Sequence, residues 1–291
     1  MRFGAVFPQI EVGNDPGAIR AYAQTVEAQG FEHLIAYDHV LGADISKHKG
    51  WKPPYGHEHA FHEPFVLFGF LAAATRRLTL MTGVIVLPQR QTALVAKQAA
   101  ALDVLSGGRL RFGIGTGWNF VEYEALGVDF KRRGAIYDEQ IQVLRALWQK
   151  PLVTFKGRFH RITAAGLNPL PVQRPIPLWF GGAAEVVIKR VAKWGEGWIP
   201  FIAPDDHGRA MIATLHRYAR RAKRKPTAIR VERVLRLPAH RPDSWVKEIE
   251  ASRAIGITDV ALDTQRAGLK NVDDHLRTLR LFSEAAARFK D

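Results

Sequence analysis

The chain has 291 residues, 47% hydrophobic and 24% charged, a composition that suits a folded globular protein and argues against a disordered one. It contains no cysteine, which excludes disulfides, thiolate nucleophiles and cysteine-ligated zinc or iron–sulfur centres. The formal net charge of +14 comes from basic residues dispersed along the chain; the densest run, residues 217–225, reads as a solvated helix face with no nucleic-acid-binding motif beside it, and a polyanionic cofactor suits the charge as well as nucleic acid does.

In chain order, residues 2–8 form a strand-like alternation with no charged leader before an apolar stretch, so no signal peptide is expected. Asp15-Pro16 has the N-cap and first-turn chemistry of a helix, and Gly30 ends it. Residues 33–37 are a second strand, stopping at Asp38-His39. The Gly/Pro/His-rich stretch 40–62 that follows is too long for a plain connection and reads as a lid. Glu63-Pro64 opens the next helix, and residues 78–87 are an apolar strand of the kind buried on both faces. A helix at 92–105, a strand at 109–114 and a helix at 137–148 come next. At 151–174 the alternation breaks into a hairpin around Lys156-Gly157 and a proline-rich link, read as an insertion. Strands at 178–180, 197–201, 229–237 and 259–262 then alternate with helices at 185–193, 206–223, 243–254 and 272–289. No apolar run reaches the roughly 18 residues a membrane span needs. A cytoplasmic protein is expected.

Eight strand-helix units with no change of composition predict an α/β fold, a (β/α)8 TIM barrel forming one domain over 1–291, with an open doubly wound sheet as the alternative. In such a barrel the chemistry lies at the C-terminal ends of the strands. The candidates collected there are Gln9, Asp38, His39, Thr82, Gly83, Gly115, Thr116, Gly117, Trp118, Asn119, Gly181, Gly182 and Pro200. Asp38-His39 offers an imidazole whose protonation a carboxylate can bias, the chemistry of proton transfer. Trp51 and Trp118 fall in loops at the expected mouth, whereas Trp179 and Trp194 read as core. The lid holds His48, His57, His59 and His62 with Glu58 and Glu63, but no HExxH spacing, so no metal is expected. The glycine-rich stretch at 113–117 is no dinucleotide fingerprint either, because Trp118 stands where G-x-G-x-x-G needs its third glycine.

AYDHV at 36–40, LTLMTGVIVLPQR at 78–90, AKQAAALDVLSGGRLRFGIGTGW at 96–118, FGGAAE at 180–185 and GEGWIP at 195–200 resemble the luciferase-like monooxygenase superfamily, and more closely its deazaflavin (coenzyme F420)-dependent oxidoreductases. The resemblance is strong as far as about Pro200. It implies a flavin-like ring in the barrel mouth, His39 as acid/base with Asp38 fixing its orientation and contacting the coenzyme, and a cis peptide at Gly83-Val84 backing the ring. It also implies a phosphate-binding turn at Gly181-Gly182. Where sugar-phosphate dehydrogenases of the family place a glutamate, this chain has Trp118, so a second proton-transferring carboxylate and a sugar-phosphate substrate are not expected. The expected function is F420-dependent hydride transfer to or from an organic molecule. An FMN-dependent monooxygenase and a non-catalytic coenzyme-binding barrel are the alternatives. The partners expected are the coenzyme and a small substrate lined by Gln9 and Trp51, with a homodimer admitted and neither nucleic acid nor membrane.

Overall fold

The computed structural model describes residues 1–236 and 242–290. Strand β1 (Arg2–Val6) leads to helix α1 (Pro16–Ala28), capped by Asp15, whose carboxylate accepts from the Ala18 N–H. Strand β2 (His33–Ala36) and helix α2 (Pro64–Ala74) flank the lid, which holds one 3-10 turn at Ile45–Lys47. Glu63 caps α2 and also pairs with Arg90. Strand β3 (Thr79–Thr82) stops at Gly83 and resumes as β4 (Ile85–Val86); the Gly83-Val84 bond between them is cis, as the resemblance implied. Helix α3 (Thr92–Leu105) and strand β5 (Leu110–Gly115) follow.

Next comes α4 (Phe120–Ala125), a helix absent from the sequence-based reading, and then α5 (Arg133–Gln149), which starts before the predicted Tyr137. Strands β6 (Val153–Lys156) and β7 (Arg161–Ala165) form the expected antiparallel hairpin in the insertion. The second half runs β8 (Leu178–Gly181), α6 (Glu185–Trp194), β9 (Gly197–Ile199), α7 (Asp206–Arg221) and β10 (Arg230–Leu235). It closes with α8 (Pro242–Ile255), β11 (Asp259–Leu262) and α9 (Val272–Ala286). Leu237, the last residue of the predicted strand 229–237, lies outside the described residues.

Parallel pairings connect β1, β2, β3, β5, β8, β9, β10 and β11 in that order, and β11 pairs with β1 to close the ring. This is the expected (β/α)8 barrel, with β4 a short continuation of β3 on the rim. The strands are buried on both faces. Val6, Ile35, Met81, Trp179, Ile199 and Ala261 fill the interior, while residues of the opposite parity, such as Ala5, Leu34 and Leu80, pack under the helices.

The N-terminal end of the barrel is closed by His33, Glu232 and Asp259, all fully buried. His33 Nε2 lies 3.0 Å from Glu232 Oε2. Gly4 makes room for that imidazole: a Cβ at this position would lie 2.2 Å from His33 Nε2.

Candidate active site at the barrel mouth

Because every strand points the same way, the loops that follow them converge at the opposite end of the barrel on a cavity of about 890 Å³. Its floor begins at the β3–β4 break, where the chain turns Val84 toward the barrel axis. The Val84 methyls need glycine on both sides: a Cβ at Gly115 would lie 2.7 Å from Cγ2, and one at Gly181 would lie 2.9 Å from Cγ1. The result is an apolar floor with little relief, bordered by Gly83, Gly115, Gly117 and Gly181.

His39 stands beside this floor with 13% of its side chain exposed. Its ring is walled by Phe61, Tyr55 and Trp118, with centroids 4.7, 5.4 and 5.4 Å away. Behind it, on α4, lies a residue the sequence reading missed. Glu122 Oε1 is 3.5 Å from His39 Nδ1 and accepts from the N–H groups of Val40 (2.7 Å) and Leu41 (3.0 Å). Gln89 donates to its other oxygen at 3.3 Å. Burial alone would raise the Glu122 pKa, but hydrogen bonds from His39, Leu41 and Gln89 outweigh it and hold the carboxyl below its ordinary range. Glu122 is therefore an anion aimed at Nδ1.

Asp38 does not fill the orienting role expected of it. Arg90 donates to its Oδ1 at 2.7 Å and the Val86 N–H donates to Oδ2 at 2.9 Å, so the carboxylate is spent on the rim beside β4. Burial nonetheless pushes the Asp38 pKa up, against the pull of Arg90. Asp38 does line the cavity, as do Gly83, Val84, Gly115, Thr116, Gly117, Trp118, Gly181 and Gly182.

Five expected site residues stand outside the cavity wall. Gln9 turns inward, its Oε1 accepting from the Tyr37 N–H at 2.6 Å. Thr82 is buried and donates to the Gly113 carbonyl. Asn119 is occupied as the N-cap of α4 and by a bond to the Leu41 carbonyl. Pro200 is buried while its neighbours Ile199 and Phe201 face the cavity. Trp51 packs behind Trp118, with centroids 5.8 Å apart.

The far side of the mouth is polar. Tyr37 and Arg236 both donate to Asp263 Oδ2, at 2.9 and 2.8 Å, and Gln265 closes on Oδ1. Arg266, after β11, reaches over to the lid, where it donates to the Pro54 carbonyl and stacks on Tyr55 at 4.9 Å. Between these groups and the floor, the N-terminus of α6 opens at Ala183 and Ala184 with no side-chain cap, leaving first-turn N–H groups turned to the cavity.

Among the described residues, the cluster with metal-ligand geometry is His33, Glu232 and Asp259 at the opposite end of the barrel. The Asp259 carboxylate there is already neutralised by Arg230 at 2.7 Å and Arg111 at 3.3 Å, which leaves little charge for a cation. No helix of the described residues is long and apolar enough to cross a membrane.

Comparison with known proteins agrees with the barrel fold. An uncharacterized protein of Mycobacterium tuberculosis is 33% identical over 273 residues, covering 90% of this chain and 92% of that protein. An FMNH2-dependent dimethylsulfone monooxygenase of Pseudomonas fluorescens is 33% identical over 199 residues, 66% of this chain and 51% of the relative. An F420-dependent secondary alcohol dehydrogenase, solved with an F420-acetone adduct, superposes with a TM-score of 0.81 at 19% identity over 100% of this chain and 99% of its own. Residues 1–246 match the luciferase-like monooxygenase family, whose members are oxidoreductases, and the chain belongs to that family.

Proposed function

We propose that the protein is a coenzyme F420-dependent oxidoreductase in which His39 exchanges the proton that accompanies hydride transfer to or from an organic substrate. The observation that carries this reading is the His39 ring, held between an anionic Glu122 and the cavity beside a flat, glycine-bordered floor. The residues fit a planar coenzyme with an anionic tail. The floor around Val84 accepts a ring system, and the uncapped start of α6 beside Gly181-Gly182 offers N–H groups to a phosphate. When bound, a deazaflavin supplies or accepts a hydride.

The remaining work belongs to the chain. Glu122 favours the tautomer with hydrogen on Nδ1, which leaves Nε2 as the nitrogen that meets the substrate. Phe61, Tyr55 and Trp118 wall the imidazole ring with aromatic surface. Asp38 and Arg90 lock the rim to which β4 returns. The net charge of +14 favours a polyanionic coenzyme tail over the single phosphate of FMN.

A second reading, an FMN-dependent monooxygenase, draws on the identity with the dimethylsulfone enzyme. A non-catalytic barrel is less consistent with a buried carboxylate directed at an accessible histidine. Side-by-side fluorescence titration of the apoprotein with F420 and FMN decides the matter. Tighter binding of F420 is expected; tighter binding of FMN overturns the deazaflavin assignment.

A further inference from the structure

The charged side chains that line the mouth pair off, with one exception. Asp38 is matched by Arg90 at 2.7 Å, and Arg236 by Asp263 at 2.8 Å. Arg266 also lines the cavity, and no carboxylate among the described residues pairs with its guanidinium. Glu11 meets only the Arg266 backbone N–H, at 2.8 Å, and turns its other oxygen to His275. Arg266 Nη2 donates to the Pro54 carbonyl and lies 3.2 Å from His59 Nε2, while the guanidinium rests on the Tyr55 face at 4.9 Å. That leaves the N–H groups of Nε and Nη1 without an acceptor among the described residues.

Arg266 stands on the same side of the mouth as His39. Strand β11, whose loop carries it, pairs with β1, and β1 pairs with β2, which leads to His39. The uncapped start of α6 follows β8, which β9 and β10 separate from β11. Tyr55 touches both groups, its ring centroid 4.9 Å from Arg266 Cζ and 5.4 Å from the His39 ring. A molecule reaching from Arg266 to His39 therefore spans little more than one aromatic ring. Because Arg236 is committed to Asp263, Arg266 acts as a single cation and matches a single negative charge. A dianionic phosphate would need a second cation; a carboxylate does not.

We propose that the substrate carries a carboxylate, that Arg266 binds it, and that the carbon reacting at His39 lies only a few bonds from that carboxylate. Arg266 is then a specificity residue: it selects the anion, and the same side chain holds the lid tip through Pro54 and Tyr55. The inference rests on the proposed role of His39, but its test needs no coenzyme, so the two can fail separately.

The test compares phenylacetate with phenylacetamide, which are alike in size and differ in charge, by calorimetric titration of the full chain. Phenylacetate is expected to bind at least about tenfold more tightly, the margin a charge-assisted hydrogen bond supplies. Arg266→Gln should remove that preference by weakening phenylacetate about tenfold and leaving phenylacetamide unchanged, while Arg266→Lys should keep part of it. Arg221→Gln, which lowers the net charge equally at an exposed position on α7, should change neither. Raising NaCl from about 0.05 M to about 0.5 M should weaken phenylacetate and spare the amide, a reading that needs no variant. Unfolding curves matched to the wild type confirm that each variant is folded. Phenylacetate bound no more tightly than the amide overturns the proposal. So does phenylacetate affinity that survives Arg266→Gln, which places the anion at the start of α6, and so does displacement by equimolar inorganic phosphate, which marks an adventitious ion only. A preference for phenylacetate that tracks Arg266, in a protein that binds neither F420 nor FMN, leaves the carboxylate site standing and removes the oxidoreductase reading.

Discussion

The two ends of the barrel each hold a histidine facing a glutamate, and the pairs are alike in composition and opposite in behaviour. At the closed end His33 and Glu232 lie 3.0 Å apart with no exposure, whereas at the mouth His39 and Glu122 lie 3.5 Å apart with the ring partly open. Burial pushes the His33 pKa down to about 3, with Arg111 adding to the effect, and pushes Glu232 up to about 8. Both members of that pair are therefore held neutral. Glu122 keeps its charge because hydrogen bonds from His39, the Leu41 N–H and Gln89 outweigh the burial that would neutralise it. Whether the carboxylate of such a pair stays charged is thus set by the donors around it, and a pair without them is held neutral as sealed filling.

The largest expected effect breaks the pair at the mouth. His39→Asn should lower kcat by about 10³-fold, within the span general acid–base catalysis supplies, and leave coenzyme affinity unchanged. Unaltered kcat in a coenzyme-saturated assay removes His39 from the chemistry. Glu122→Gln should be milder, about 10- to 100-fold in kcat, because the ring is misoriented but present. Substrate KM should hold steady, and the acid limb of the pH-rate profile should shift. A loss confined to thermal stability would reduce Glu122 to a structural residue.

The closed end makes its own prediction, in stability. Glu232 titrates at about 8 in the fold against an ordinary 4.5, so its contribution is full below pH 4.5 and is lost as pH rises to about 8. His33 runs the other way: with a folded pKa of about 3 against 6.5, its contribution is full above pH 6.5 and is lost as pH falls toward 3. Between 4.5 and 6.5 the folded and unfolded chains each carry one proton on the pair, and the slopes cancel. A plateau is therefore expected there, followed by a decline toward pH 8. Glu232→Gln should abolish that decline in urea unfolding while sparing turnover. A decline that survives the substitution assigns it to other groups. The smallest effect belongs to Arg266→Ala, which should cost under about 1 kcal/mol, in keeping with a partly exposed cation on a ring. It should speed proteolytic cutting of the lid at 44–60, and unchanged cutting rates would show that the latch does not restrain the loop.

Most of the barrel was legible because burial on both faces writes a parallel strand as a short apolar run, and capping chemistry marks the helix starts. Asp15-Pro16 and Glu63-Pro64 each begin the helix they announced. Individual side-chain directions were not legible. Gln9 and Thr82 sit at strand ends as expected, yet hydrogen bonds to Tyr37 and Gly113 turn them away from the cavity. Glu122 escaped for a different reason: the acid was sought beside the glycines, at position 118, and its helix is only six residues long. A signal was present in Asn119-Phe120-Val121-Glu122, which has the spacing of a capping box. Glu122 departs from that motif by spending its carboxylate on the loop after β2. Only the three-dimensional neighbourhood of His39 makes that visible.

Helix α4 is fastened to the base of the lid by Asn119 on the Leu41 carbonyl and by Glu122 on the Val40 and Leu41 N–H groups. The base of the lid is thereby tied to the same short element that carries the carboxylate facing the imidazole, while the lid's tip is held by Arg266 on the Pro54 carbonyl and by the Tyr55 ring against His39 and Phe61. The stretch ahead of Tyr55 is therefore the part of the lid that can change sequence without removing a wall of the imidazole, since Tyr55 and Phe61 both stand against that ring.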